Sequence, residues 1–425
     1  MNRALLFVTG AAAALVATSC RHESTPGPDP AGTAVAIAVT TAVTAAAAAA
    51  EEPAGDAEKG KALVTQLECS RCHEGTGAPA AKLEKACFTC HAQIISGAFK
   101  SPRNVEARWR DRVIDLRDVP SLTASQARFR RSWITSFLLD PQDLRPRLGP
   151  TMPRLALSRE QARDLAAYLA APDDPAARPD LGHADAARGR RLMEAKGCPS
   201  CHVFTGVPAM EGAASLVPGE RHVSAGMALA PDLRFARERL RPEALLAWVS
   251  NPRKVKPDTA MPEFDLPPEE ARDIAAYVLG AELAPPAPRV APPRLPLLER
   301  KVAYDEVSEK VFRRTCWHCH GEPDYAAGDG GPGNTGGFGF KPRGVSFVDY
   351  GAVQAGRTDD AGERHSLFEK APDGTPRLVR ALLARRDEEA GHADAQIRGM
   401  PLGYPSLSPE EIQLVETWVA QGRPR

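Results

Sequence analysis

The chain has 425 residues, with 54 basic side chains matched by 54 acidic ones, 6% aromatics and nine cysteines. Zero formal charge implies no polyanion-binding surface, and no nucleic-acid partner is expected. The length leaves room for two to four domains.

In chain order, residues 1–19 read as an export signal. They hold one basic residue, Arg3, then an apolar run from Ala4 to Val16, then Ala17, Thr18 and Ser19. The run is too short for a stable membrane span. It ends on Cys20, and in this it resembles a bacterial lipoprotein signal, although Ala17 stands where leucine is most usual. The resemblance implies cleavage before Cys20, lipid on its thiol, and a mature chain held at the cell envelope facing the periplasm. A plain secreted protein with a free thiol at Cys20 is the alternative. Residues 20–55 are rich in Ala, Pro, Gly and Thr, have too few large apolar groups for a core, and are expected to be a disordered tether.

Four Cys-x-x-Cys-His motifs follow: Cys69, Cys72 and His73; Cys87, Cys90 and His91; Cys198, Cys201 and His202; Cys316, Cys319 and His320. This is the pattern of covalent c-type haem attachment, so four haem c groups are expected. Two cysteines three apart reach the two vinyl groups of one porphyrin, and the adjoining histidine faces the iron. Zinc is the competing reading. Fourteen residues separate Cys72 from Cys87, close to a zinc-ribbon spacing, so the first two pairs alone fit one structural zinc. The last two pairs are more than a hundred residues apart and each carries its own histidine, which a zinc site does not need. Haems would also fill cores that the few aromatics cannot.

Aligning the chain on its Met-Pro dipeptides, at Met152, Met261 and Met400, reveals three repeats. The helices after the first two read Ala162-Arg163-Asp164-Leu165-Ala166-Ala167-Tyr168 and Ala271-Arg272-Asp273-Ile274-Ala275-Ala276-Tyr277. Val415 and Trp418 take the corresponding places in the third. All three helices are expected to open on capping and acidic residues, as in Ser158-Arg159-Glu160 and Ser408-Pro409-Glu410. Upstream, Gly60 and Leu63 precede Cys69 by the same nine and six residues as Gly189 and Leu192 precede Cys198, which predicts amphipathic helices leading into each haem site. Short apolar helices are predicted at Trp133 to Leu139 and Leu245 to Val249, stopping at Asp140-Pro141 and Asn251-Pro252.

This order resembles class I cytochrome c, an all-helical fold with an N-terminal helix, the haem motif, a loop, a distal methionine and a C-terminal helix carrying an aromatic residue. The resemblance runs from Asp56 to the C-terminus. It implies an all-α chain of three tandem cytochrome c-like domains with covalently bound haems. The boundaries expected are 56–175 with two haem sites, 180–283 with one, a proline-rich linker at 284–300 that holds the last domain at a distance, and 301–425 with one haem and a long insertion. It makes His73, His202 and His320 proximal ligands, and Met152, Met261 and Met400 distal ligands, to three irons.

The second motif breaks the pattern, because it lies inside the first repeat without a Met-Pro unit of its own. His91 to Met152 spans 61 residues and His202 to Met261 spans 59, which alone would give Met152 to His91. The helix match before Cys69 assigns Met152 to His73 instead. The sixth ligand of the inserted haem is then open, with His183, Met193, His222 and Met227 as candidates. Gly328 to Gly339 lacks the Lys-Ser/Thr of a phosphate loop and reads as a flexible wall near the third repeat's haem. His318, inside Cys-Trp-His-Cys-His, is expected to be exposed, and His365 and His392 lie in the insertion without a partner motif.

The expected function is a lipid-anchored periplasmic electron carrier. It would work between a quinol-oxidising complex or another cytochrome and a terminal reductase or oxidase. The alternative is a haem enzyme, a peroxidase or an oxidoreductase for an inorganic substrate, with an open site at residues 87–91.

Overall fold

The computed structural model describes residues 53–82, 85–100, 109–110, 113–173, 181–217, 223–321, 337–394 and 396–425. Cys20, the export signal and nearly all of the tether lie outside them. No helix among the described residues is long and apolar enough to cross a membrane.

Helices dominate, and two-residue strands at Arg357–Thr358 and Arg364–His365 are the sheet structure described. The first repeat contains α1 (Ala57–Gln66), α2 (Cys87–Ser96), α3 (Arg131–Leu139) and α4 (Arg159–Leu169). The second contains α5 (Ala186–Ala195), α6 (Pro242–Ser250) and α7 (Pro268–Gly280). In both, the helix leading to the haem motif packs on the helix after Met-Pro, α1 on α4 and α5 on α7.

Glycine makes this crossing possible. A Cβ on Gly60 would stand 2.0 Å from the Asp164 carbonyl oxygen, and one on Gly189 would stand 2.0 Å from that of Asp273. The two backbones therefore touch, and the glycine shared by both repeats is where they do so. The shared aspartates have a matching task. Asp164 Oδ1 accepts the Asp56 N–H at 2.7 Å, and Asp273 Oδ1 accepts the Asp185 N–H at 2.7 Å. Asp56 and Asp185 are themselves the N-caps of α1 and α5. Each buried carboxylate thus clamps the start of one helix to the side of the other.

Capping holds for two of the three C-terminal helices. Ser158 with Gln161, and Ser408 with Glu411, form reciprocal capping boxes. The middle helix differs from expectation: its N-cap is Pro267, which makes no side-chain bond. Pro268 in the first turn has no N–H to satisfy, so less capping is needed there.

The last repeat has its own core around Trp418, Phe312 and Val415, all buried. Its haem-leading helix is a π-helix, Ser308–Cys316, continuing into Trp317–His320. Nine residues before Cys316 stands buried Val307 instead of glycine. It packs near α9 (Pro409–Ala420), which follows α8 (Arg377–Glu389). Leu414 stands where the other repeats have the clamping aspartate, and among the described residues Thr417 Oγ1 accepts the Leu298 N–H at 3.0 Å and Gln421 Oε1 accepts that of Val302 at 2.9 Å.

The linker does not hold this last core at a distance. Pro53–Arg425 forms one compact unit. Arg289 of the linker pairs with Asp140 of the first repeat and Arg294 with Glu416 of α9, while Arg385 Nη2 donates to the Pro150 carbonyl at 2.9 Å. Ion pairs at both ends lay the proline-rich segment along the surface, so its stiffness sets its path without separating what it joins.

Replacing Gly60 or Gly189 by alanine forces a methyl group into backbone and is expected to cost about 1–3 kcal/mol. Denaturant midpoints of the haem-loaded protein, compared with that of Gly280→Ala, an exposed helical glycine where an added Cβ meets nothing within 4 Å, measure it.

Candidate functional site

His73 and His202 follow single 3-10 turns, Cys69–Arg71 and Cys198–Ser200, that end α1 and α5. Each imidazole is oriented by a proline carbonyl: His73 Nδ1 lies 2.8 Å from Pro120 O and His202 Nδ1 2.9 Å from Pro231 O. A carbonyl only accepts, so Nδ1 carries the proton and Nε2 keeps its lone pair for a metal. Burial pushes both histidines below the ordinary imidazole value, which favours the neutral ligand form.

The two sites open into one cavity of about 530 Å³. Cys72, His73 and Met152 line one part of it, and Cys201, His202 and Met261 the other. Met152 and His73 thus line the same cavity, which His91 does not reach among the lining residues. Met261 Sδ is met by Trp248 Nε1 at 3.0 Å.

A near-symmetric junction joins the halves. Phe129 and Leu240 form an antiparallel bridge, with Arg130 N–H donating to Arg239 O and Arg241 N–H to Arg128 O, both at 2.9 Å. Each bridge residue stands two positions before α3 or α6, so Arg128 and Arg239 are counterparts that meet on the cavity wall. Burial, with Arg128 and Arg145 nearby, lowers Arg239 to about 10. Arg145 is paired with Asp143 at 2.6 Å, whereas the Arg239 Nε is buried without a hydrogen-bond partner. An unmatched cation on the wall of an apolar cavity suits the carboxylates of a porphyrin.

The second motif lies on α2 rather than on a 3-10 turn. His91 is 4% exposed, and a small cluster of Ile94, Trp109 and Val113 packs with Cys90. The His91 ring has two aromatic neighbours, both in the last repeat: His318 with centroids 5.8 Å apart and Tyr404 at 6.2 Å. Burial, then the His318 imidazole, lowers His91 to about 3. His318 is therefore half-buried and in contact, not exposed as expected, because the last repeat packs over the inserted motif.

The attachment cysteines converge as well. The Cys72 and Cys87 thiols lie close enough to shift one another, Cys87 raising Cys72 and Cys72 lowering Cys87. The surrounding protein, with Cys87 adding to the effect, pushes the Cys319 thiol up although the residue keeps an exposed edge. Three of the four motifs thus have a cysteine in one neighbourhood. Among the described residues the group of three possible metal ligands within 4.8 Å is Asp359, Glu363 and His365, and no cysteine belongs to it.

The remaining expectations fall out as follows. Met193 is buried in the second core and His183 is exposed, while His222 lies outside the described residues. Met227 sits in the short helix Ala225–Leu229. His320 meets the Phe347 ring at 5.8 Å, and the Met400 N–H donates to Ala381 O of α8 at 2.9 Å. His365 pairs with Asp359 at 3.0 Å, and His392 is exposed. Residues 328–336 lie outside the described residues, but the end of the glycine-rich stretch is placed differently from expectation. Phe338 packs on the first core, under the buried Arg71 guanidinium at 5.4 Å, so this stretch walls the first repeat's attachment turn. Arg239, Tyr404 and Phe338 carried no motif by which the sequence could have marked them.

The donor set fits covalent haem: cysteines three apart, a buried histidine with one nitrogen already engaged, a sulfur on the same cavity, and an unmatched arginine. No curated protein and no solved structure matches the chain. The Cytochrome c family model matches residues 57–171 and 186–282. Both matches begin on the helix before a haem motif and end just past α4 or α7, and the chain is a multidomain c-type cytochrome.

Proposed function

We propose that the protein is a tetrahaem electron carrier of three cytochrome c-like domains, lipid-anchored through Cys20 at the periplasmic side of a bacterial membrane. The observation that carries the reading is the shared cavity of the His73 and His202 sites. Electron hopping needs redox centres in close succession, and one compact unit supplies that succession.

The bound haems would supply one-electron iron chemistry. Cys69 with Cys72, Cys87 with Cys90, Cys198 with Cys201, and Cys316 with Cys319 would hold them as thioethers. His73, His91, His202 and His320 would supply nitrogen ligands, and Met152, Met261 and Met400 would supply sulfur to three of them. Pro120 and Pro231 fix the tautomer of two of the histidines. Arg128 and Arg239 offset carboxylate charge between the first pair of sites. Donor and acceptor are a quinol-oxidising complex or another cytochrome, and a terminal reductase or oxidase. The enzyme reading needs an open face at His91, which His318 and Tyr404 crowd.

The intact mass of protein matured with a cytochrome c assembly system is expected to show four haem additions, and Cys87→Ala with Cys90→Ala three. Fewer than four on the parent chain overturns the reading. Met152→Ala and Met261→Ala are each expected to remove one sulfur-ligated haem and lower one potential, because thioether ligation raises it. Arg239→Gln is expected to lower the potentials of the first pair by on the order of tens of millivolts, since a lost cation favours ferric iron. Potentiometric titration reads both.

A further inference from the structure

We infer that Arg385 is a positioning residue for two haem irons at once. Its guanidinium staples the Met152 loop of the first repeat to the Met400 loop of the last, so that the two sulfurs are held or released together. This rests on the reading that Met152 and Met400 are distal ligands.

The loop of the last repeat is tied to α8 at both ends. At its start, Glu388 Oε1 accepts the Gly399 N–H at 2.9 Å and Ala381 O accepts that of Met400 at 2.9 Å. At its end, the Glu389 carboxylate accepts the Ser406 N–H at 2.6 Å and the Ser406 hydroxyl at 2.7 Å. Gly399 fits because it lacks a side chain, since a Cβ there would stand 2.6 Å from the Arg385 Cα. Residues 399–406 are thus an arch with both feet on one helix, and Met400 stands beside the first foot.

Arg385 lies on α8 between these anchors and is 2% exposed. Its Nε donates to Tyr404 O at 3.1 Å, and its Nη2 donates to Pro150 O of the first repeat at 2.9 Å. Pro150 is two residues before Met152, and Tyr404 is four after Met400. The two loops also touch directly, because a Cβ on Gly149 would stand 2.3 Å from Pro405 Cγ. Gly149 is anchored in its own repeat by buried Asp115, whose Oδ1 accepts its N–H at 2.9 Å.

The chemistry of this side chain suits the task. Arginine carries its donors in a rigid planar fork, so carbonyls from two loops are fixed relative to each other, whereas a lysine is a single flexible point of attachment. Buried Glu388, 3.5 Å away, offsets the charge. The middle repeat's loop is held from within: the Met261 N–H donates to Thr259 Oγ1 at 3.2 Å, and the sulfur meets Trp248. An iron that keeps both axial ligands exchanges an electron with little rearrangement. Docking of the last repeat therefore secures that property for the first and last haems together.

The test uses the full haem-loaded ferric chain, with cyanide as the probe. Cyanide reaches a methionine-ligated iron once the sulfur has left, so its binding rate reads how firmly each loop holds its ligand. Three slow phases are expected in the parent protein. Met152→Ala, Met261→Ala and Met400→Ala should each turn one of them fast, which assigns them. Arg385→Met combined with Glu388→Gln removes the staple without stranding a buried charge. It is expected to speed the Met152 and Met400 phases by about tenfold, the equivalent of one lost hydrogen bond to a charged group, and to leave the Met261 phase as in the parent. Arg385→Lys keeps the charge opposite Glu388 but not the fork, and should move the same two phases even if the double variant does not mature. Parent rates at Met152 and Met400, a rise at one of them alone, or an equal rise at all three overturns the inference. Methionine variants that leave every phase slow would instead overturn the reading that these sulfurs are ligands.

Discussion

Backbone contact at the crossing of two helices is the constraint on which each regular repeat depends. Only a residue without a side chain lets α1 and α5 lie directly against the carbonyls of Asp164 and Asp273. The turn that carries the cysteines and histidine follows at once, so the crossing sets where the histidine stands. The aspartate clamp at the other end of the same helix fixes its axis. Rigid elements thus place a soft loop chemistry, as a redox site with little rearrangement requires.

The last repeat reaches a similar result by different means. It has a π-helix, a valine where the others have glycine, and a core built on Trp418 and Phe312. A side chain at the crossing is accommodated where aromatic bulk fills the space around it. The different interior also accounts for a family match confined to the first two repeats.

Packing of the repeats on one another creates most of what is specific to this chain. The bridge between Phe129 and Leu240 joins two pockets and places Arg128 and Arg239 on one cavity wall, where repulsion from Arg128 makes Arg239 harder to charge. The last repeat lies over the first, bringing Phe338 to Arg71 and His318 to His91. An inserted motif with no methionine of its own is thereby enclosed by a neighbour.

The sequence by itself determined the local chemistry: the four attachment motifs, the all-helical class, the Gly and Asp positions of the paired helices, and the Met-Pro units. These are short-range patterns, because thioether spacing, helical period and capping all act within a few residues. It could not decide which methionine shares a cavity with His73, where His318 points, that the proline-rich segment runs along the surface, or that Pro267 replaces a polar cap. Residues such as Arg239 and Tyr404 acquire meaning only from partners over a hundred or more residues away. Only the tertiary structure decided those, since contacts between repeats depend on how three separate cores dock, and docking leaves no period in the chain.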